Sequence, residues 1–293
     1  MKPKVHIKLQ GKGGVGKSTD AAFLAQYLAS KGRAPANIDT DPVNATFHSY
    51  KGLNVKRLNI MENDEINPRS FDELIEMIAA ASSDVVIDNG ASSFVPLSHY
   101  LISNQVPALL AEMGRDLVVH TVITGGQALV DTVSGFNQLV TQFPENTMFV
   151  VWLNPYYGPI EHEGKSFEQM KAYVNNKARV SAIVRLPTLK EETYGRDLSE
   201  MLQQRLTFDE ALALGLRDAR PAVVNVDDCG ICTSGYLNVD GLARAIALRV
   251  LDQVAQYAQQ CGRIALHAHG VTRESDAGAL CRQVTAHLRD PAR

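Results

Sequence analysis

The stretch Gln10-Gly-Lys-Gly-Gly-Val-Gly-Lys-Ser-Thr19 decides the fold. Gly11, Gly16, Lys17 and Ser18 satisfy the phosphate-loop pattern G-x-x-x-x-G-K-[ST] without a mismatch. Gly11, Gly13, Gly14 and Gly16 let successive N–H groups, that of Val15 included, turn toward one anion in conformations a Cβ would block. Lys17 has the reach for β- and γ-phosphates, and the Ser18 hydroxyl suits Mg²⁺. Thr19 lies in the first turn of the following helix, whose positive N-terminal end faces the same anion. Gly11 to Thr19 are therefore the candidate residues for ATP.

The flanks support this reading. Val5 to Leu9 alternates apolar and polar and predicts a short strand. Ser18 to Ser30 is alanine- and leucine-rich and predicts a helix, with Gly32 where a C-terminal cap is expected. Downstream, Arg33 to Asp39 predicts a second strand, weakened by Pro35, that ends in Asp39-Thr-Asp-Pro42. Carboxylates at Asp39 and Asp41 face one way at the strand's carboxyl end and suit a metal's water shell or an attacking water. The same residues also fit an Asx-turn that opens a loop.

Arg57 to Ile60 reads as an edge strand and Phe71 to Ala81 as a helix with Phe71, Leu74, Ile75 and Ile78 on its apolar face. Asp84 to Asp88 is a buried β run ending in an acid, the Walker B pattern in which Asp88 holds Mg²⁺ through water. Ser92 and Ser93 read as solvated loop serines, since no base is placed near them. Strands are expected at 117–124, 147–153 and 180–186, with helices at 127–142, 195–204 and 207–214. Glu161, His162 and Glu163 read as a polar surface loop. The alternation of strands and helices over residues 4–214 predicts a doubly wound, mainly parallel α/β sheet with helices on both faces.

Lys12 gives the loop the form K-G-G-V-G-K-S, which resembles the deviant Walker A loop of the ParA/MinD ATPases. The resemblance runs over residues 4–213. It is carried further by Ile38-Asp-Thr-Asp-Pro-Val-Asn-Ala-Thr-Phe47, Val86-Ile-Asp-Asn-Gly-Ala-Ser-Ser-Phe-Val95 and Asn154-Pro-Tyr-Tyr-Gly-Pro-Ile-Glu-His-Glu-Gly164. These later segments are similar to a conjugal-transfer branch of that family found on broad-host-range plasmids. Asn89-Gly90-Ala91 departs from the proline-containing switch usual there.

The resemblance implies an ATP-dependent homodimer in which Lys12 contacts the partner's nucleotide. It also implies that Asp41 positions the hydrolytic water, with Asp39 near the metal's water shell. Asn154 would recognise adenine, although an asparagine opening a turn fits equally, and the Pro187 loop would pack on the adenine face. The expected protein is a slow ATPase acting as a switch within the conjugation machinery. A nucleotide-gated plasmid-maintenance module with little turnover, and a small-molecule enzyme of the amidoligase type, are the other readings.

With 293 residues, 45% of them hydrophobic, the chain can bury a large core, and its net charge of −3 brings no bulk attraction to DNA or anionic lipid. No run approaches the ~18 apolar residues of a membrane span, so a cytoplasmic protein is expected. Composition changes beyond residue 214. No lysine follows Lys190, all four cysteines lie in this tail, and 240–259 reads as an amphipathic helix. Cys229 and Cys232, with His267 and His269, fit either zinc or free thiols. The expected organisation is an ATPase domain over 1–214 and an extension over 215–293.

Overall fold

The computed structural model describes residues 2–186, 188 and 195–214. Pro187, the helix expected at 240–259 and the Cys229, Cys232, His267 and His269 set lie outside them.

Seven strands form one sheet: β1 (Lys4–Lys8), β2 (Ala36–Asp39), β3 (Lys56–Arg57), β6 (Val85–Asp88), β7 (Asp116–Thr124), β8 (Met148–Asn154) and β11 (Val180–Arg185). Their spatial order is β11-β8-β7-β1-β6-β2-β3, and every pairing is parallel. Two small antiparallel hairpins, β4 (Met61–Glu62) with β5 (Glu65–Ile66) and β9 (Glu161–His162) with β10 (Lys165–Ser166), sit apart from it. The helices are α1 (Lys17–Ser30), α2 (Ser70–Ala80), α3 (Phe94–Ser103), α4 (Val106–Glu112), α5 (Leu129–Gln142), α6 (Lys171–Asn176), α7 (Arg196–Gln203) and α8 (Phe208–Ala213).

Alternate strand residues serve opposite faces. Val5, Ile7, Ile87, Val119 and Val151 pack with Phe71, Leu74, Leu97, Leu110, Phe136 and Leu139. On the other face, Val86, Val118, Val122, Val150 and Trp152 pack under Ala21, Leu24 and Leu28 of α1. Helix α8 closes on α1 by stacking Phe208 on Phe23, with ring centroids 5.5 Å apart.

The expected strands and helices are present, with ends displaced by a few residues. Two further helices, α3 and α4, occupy a stretch to which the sequence assigns none. Another difference concerns β1. Its alternation reads as one dry and one wet face, yet His6 and Lys8 are buried beneath α1. A central parallel strand is covered on both sides, so its polar positions must be satisfied inside the protein. Ser93 also departs from expectation. It is buried and its hydroxyl donates to Asn89 Oδ1 at 2.7 Å, whereas Ser92 is exposed.

Candidate nucleotide site

The carboxyl ends of β1, β2, β6, β7 and β8 converge on one edge of the sheet, where open α/β folds bind ligands. The loop after β1 keeps its glycine conformations: Gly14 and Gly16 have φ of 74° and 105°. Gly16 is also the N-cap of α1 and brings no side chain, so the first-turn amides stay open to an anion. A Cβ on Gly16 would stand 2.8 Å from Asn154 Nδ2. Gln10 anchors the loop's base, its amide donating to the carbonyls of Val122 and Thr132, both at 3.1 Å.

Lys17 curls into the loop and donates to the Lys12 carbonyl at 3.0 Å. Burial lowers its pKa, while Asp88, Asp41 and Asp20 pull the other way. The Ser18 hydroxyl stands beside the Asp88 carboxylate and favours its ionised form, so the two residues assigned to Mg²⁺ meet. Asp88 Oδ1 is buried without a hydrogen-bond partner. A hydroxyl, an ionisable acid with a spare lone pair and a phosphate-ready loop fit a magnesium–nucleotide complex. Held there, the ion would neutralise phosphate charge.

Asp39 faces inward. Its Oδ1 accepts from the Asp41 N–H at 2.9 Å and its Oδ2 from the His48 N–H at 2.8 Å. Burial raises its pKa and those two bonds oppose the rise. Asp41 makes the Asx-turn, Oδ1 accepting from Val43 and Asn44 N–H at 2.9 and 3.2 Å. Lys12 stands at the exposed rim in an ion pair with Asp131 Oδ2 at 2.7 Å. At Asn154, Nδ2 donates to the Val15 carbonyl at 2.9 Å and Oδ1 accepts from Tyr156 N–H at 3.2 Å.

Beneath the loop lies a buried polar group that the motif does not announce. Trp152 Nε1–H donates to His120 Nδ1 at 2.9 Å, so the neutral His120 carries its proton on Nε2 and donates to His6 Nδ1 at 2.9 Å. Burial holds both imidazoles well below their ordinary pKa. Lys8 Nζ lies 3.8 Å from the Trp152 ring centroid. Its main opposite charges are Asp20 of α1 and then Asp88. The only sequence trace of this group is polarity at alternate positions of an otherwise apolar strand.

The family description "CobQ/CobB/MinD/ParA nucleotide binding domain" matches residues 9–215. The chain belongs to this nucleotide-binding family. Two Escherichia coli proteins named Protein TraL are each 74% identical to it over 210 residues, spanning 72% of this chain and 87% of theirs. A solved plasmid partition protein from Borrelia burgdorferi is 16% identical, with a TM-score of 0.42 over 70% of this chain and 96% of that one. The MinC:MinD complex of Aquifex aeolicus gives 15%, 0.43, 72% and 96%. In this chain the loop, Ser18 and Asp88 stand together at the sheet's carboxyl edge. No helix among the described residues is long and apolar enough to cross a membrane.

One consequence is a pH dependence. Burial pushes the Asp88 carboxyl up to about 7, the Ser18 hydrogen bond pulls it down and Asp39 pushes it up again. If Asp88 serves Mg²⁺ it does so ionised, and that form is lost as pH falls through about 7. The magnesium-dependent part of nucleotide affinity should then fall by about fivefold between pH 7 and pH 6. Titrations with and without Mg²⁺ at pH 6, 7 and 8 check this. A magnesium effect that is flat across this range would contradict the assignment of Asp88.

Proposed function

We propose that this protein is a magnesium-dependent, slowly hydrolysing ATPase that works as a nucleotide-dependent dimerising switch in plasmid conjugal transfer. One observation carries the reading: the whole phosphate loop is folded with Lys17 turned into it and Ser18 on Asp88. The 74% identity to the TraL proteins supports the assignment to plasmid transfer machinery. The nucleotide domain spans residues 1–214, with 215–293 as an extension and a cytoplasmic setting.

The chain's own groups supply positioning and electrostatics. Loop amides and Lys17 hold the phosphates. Ser18 and Asp88 hold the magnesium ion, with Asp39 near its water shell, and Asp41 orients the attacking water. Asn154 recognises the adenine and the Pro187 loop packs on its face. Lys12 reaches the nucleotide of a second copy.

In its test, Mg-ATP is titrated calorimetrically into the full chain and into Lys17→Ala. Removing one charge-assisted phosphate contact should weaken binding by about a hundredfold. The fold should survive, because within the protein Lys17 gives up one hydrogen bond to the Lys12 carbonyl. Unchanged affinity in a folded Lys17→Ala protein would end the proposal.

A further inference from the structure

The turn that follows β8 grips two consecutive carbonyls of the phosphate loop. Tyr157 donates its hydroxyl to the Gly14 carbonyl at 3.1 Å. Asn154 donates its amide to the Val15 carbonyl at 2.9 Å. In a planar trans peptide, the C=O of one residue and the N–H of the next point in opposite directions. Holding the carbonyls of Gly14 and Val15 outward therefore turns the N–H groups of Val15 and Gly16 the other way, into the loop. Two side chains on one turn thus set the direction of two amides.

The turn is itself firmly seated. Thr124 Oγ1, at the end of β7, donates to the Asn154 carbonyl at 2.9 Å. Asn154 Oδ1 takes the Tyr156 N–H, which closes the 3-10 turn Pro155–Tyr157. The chain beyond lies directly on Gly125, where an added Cβ would stand 2.3 Å from the Gly158 carbonyl oxygen. The grip on the loop is thereby referred to the paired strands β7 and β8.

We propose that Tyr157 and Asn154 are positioning residues that aim the phosphate-loop amides at the triphosphate. The proposal rests on the loop being the triphosphate site. It gives Asn154 a role alongside adenine recognition: Nδ2 gives one of its two hydrogens to the Val15 carbonyl and Oδ1 takes the Tyr156 N–H on one of its two lone pairs. Tyr157 becomes part of the phosphate site although it lies far from the loop in sequence.

A ligand without a base separates the two roles. Mg-tripolyphosphate and Mg-ATP are each titrated into the full-length wild type, Tyr157→Phe and Asn154→Ala. Tyr157→Phe keeps the ring and removes one hydroxyl, so it remains informative should Asn154→Ala fail to fold. In Tyr157→Phe both ligands should weaken by the same factor, about fivefold, which is what one neutral hydrogen bond is worth, and Asn154→Ala should weaken tripolyphosphate as well as ATP. The melting temperature of the ligand-free protein should stay close to that of the wild type, which separates aiming from loss of structure.

Hydrogen exchange of residues 10–17 in the ligand-free protein should also quicken in both variants, and this readout needs no ligand. Loss of ATP binding alone, with tripolyphosphate untouched, would make Asn154 a base reader and overturn the inference. So would unchanged affinities and unchanged exchange in Tyr157→Phe. A wild type that binds neither ligand would remove the nucleotide reading itself, an outcome distinct from either of these.

Discussion

Replacing Lys8 by methionine should destabilise the protein by about 3 kcal/mol at pH 7, a fall of roughly 10 °C in melting temperature. Lys8 is fully buried, with its ammonium over the Trp152 ring and no hydrogen-bond partner. Both carboxylate oxygens of Asp20 are likewise buried without partners. Each charge is tolerated because the other is near: burial lowers Lys8 to about 7 and raises Asp20 to about 7, and each resists the other's shift. Removing one member leaves the other uncompensated, which costs more than the pair contributes.

The pH dependence has a definite sign. Asp20 has a folded pKa above its ordinary value of 3.8, so its penalty is complete above about pH 7 and shrinks as pH falls. Lys8, lowered to about 7, keeps its charge below about pH 7 and loses it above. The loss caused by Lys8→Met should therefore be smaller at pH 5 than at pH 7. Replacing both members, as in Lys8→Met with Asp20→Leu, should bring stability back to near wild type or above it, since apolar pairs of similar volume often equal buried ion pairs. Thermal melts of the wild type and the two variants at both pH values measure this. A Lys8→Met protein as stable as wild type at pH 7 would show that the two charges do not depend on each other.

Much of this architecture is written locally in the chain. The phosphate loop is legible because only certain residues permit its backbone and its charges, and they are consecutive. The parallel sheet is legible from β runs that alternate with helical periodicity. Helices α3 and α4 are hidden by Pro96 and Pro107. Both prolines stand in a first turn, where the missing N–H has no intrahelical partner to lose. His6 and Lys8 mislead because a polar residue on a strand reads as wet, while here the sheet's second face is dry.

The contacts of Tyr157 with Gly14 and of Asp131 with Lys12 join residues 143 and 119 positions apart. Such pairings depend on which strands are neighbours, and no local pattern records that. Asp41 shows the opposite case. Its position at the end of β2 is plain from sequence, and the structure adds that it also caps its own turn.

The second large effect concerns assembly. Lys12 is held by Asp131 in an ion pair exposed on both sides. Such pairs contribute about 1 kcal/mol or less, so a nearby phosphate can draw Lys12 away. If that phosphate belongs to a second copy's nucleotide, dimerisation and ATP binding are linked, and each strengthens the other. Asp41→Ala should then stop hydrolysis while leaving the phosphate contacts intact, which traps an ATP-bound dimer. Asp41→Asn should behave alike, since its side-chain oxygen can still cap Val43 and Asn44. Lys12→Ala should bind ATP through Lys17 yet stay monomeric and turn over poorly.

Light scattering of Asp41→Ala and Lys12→Ala in saturating Mg-ATP tests the switch most directly. The account predicts twice the monomer mass for Asp41→Ala, the monomer mass for Lys12→Ala, and monomers for both without nucleotide. A Lys12→Ala protein that dimerises like wild type, or an Asp41→Ala protein that stays monomeric with ATP bound, would contradict it.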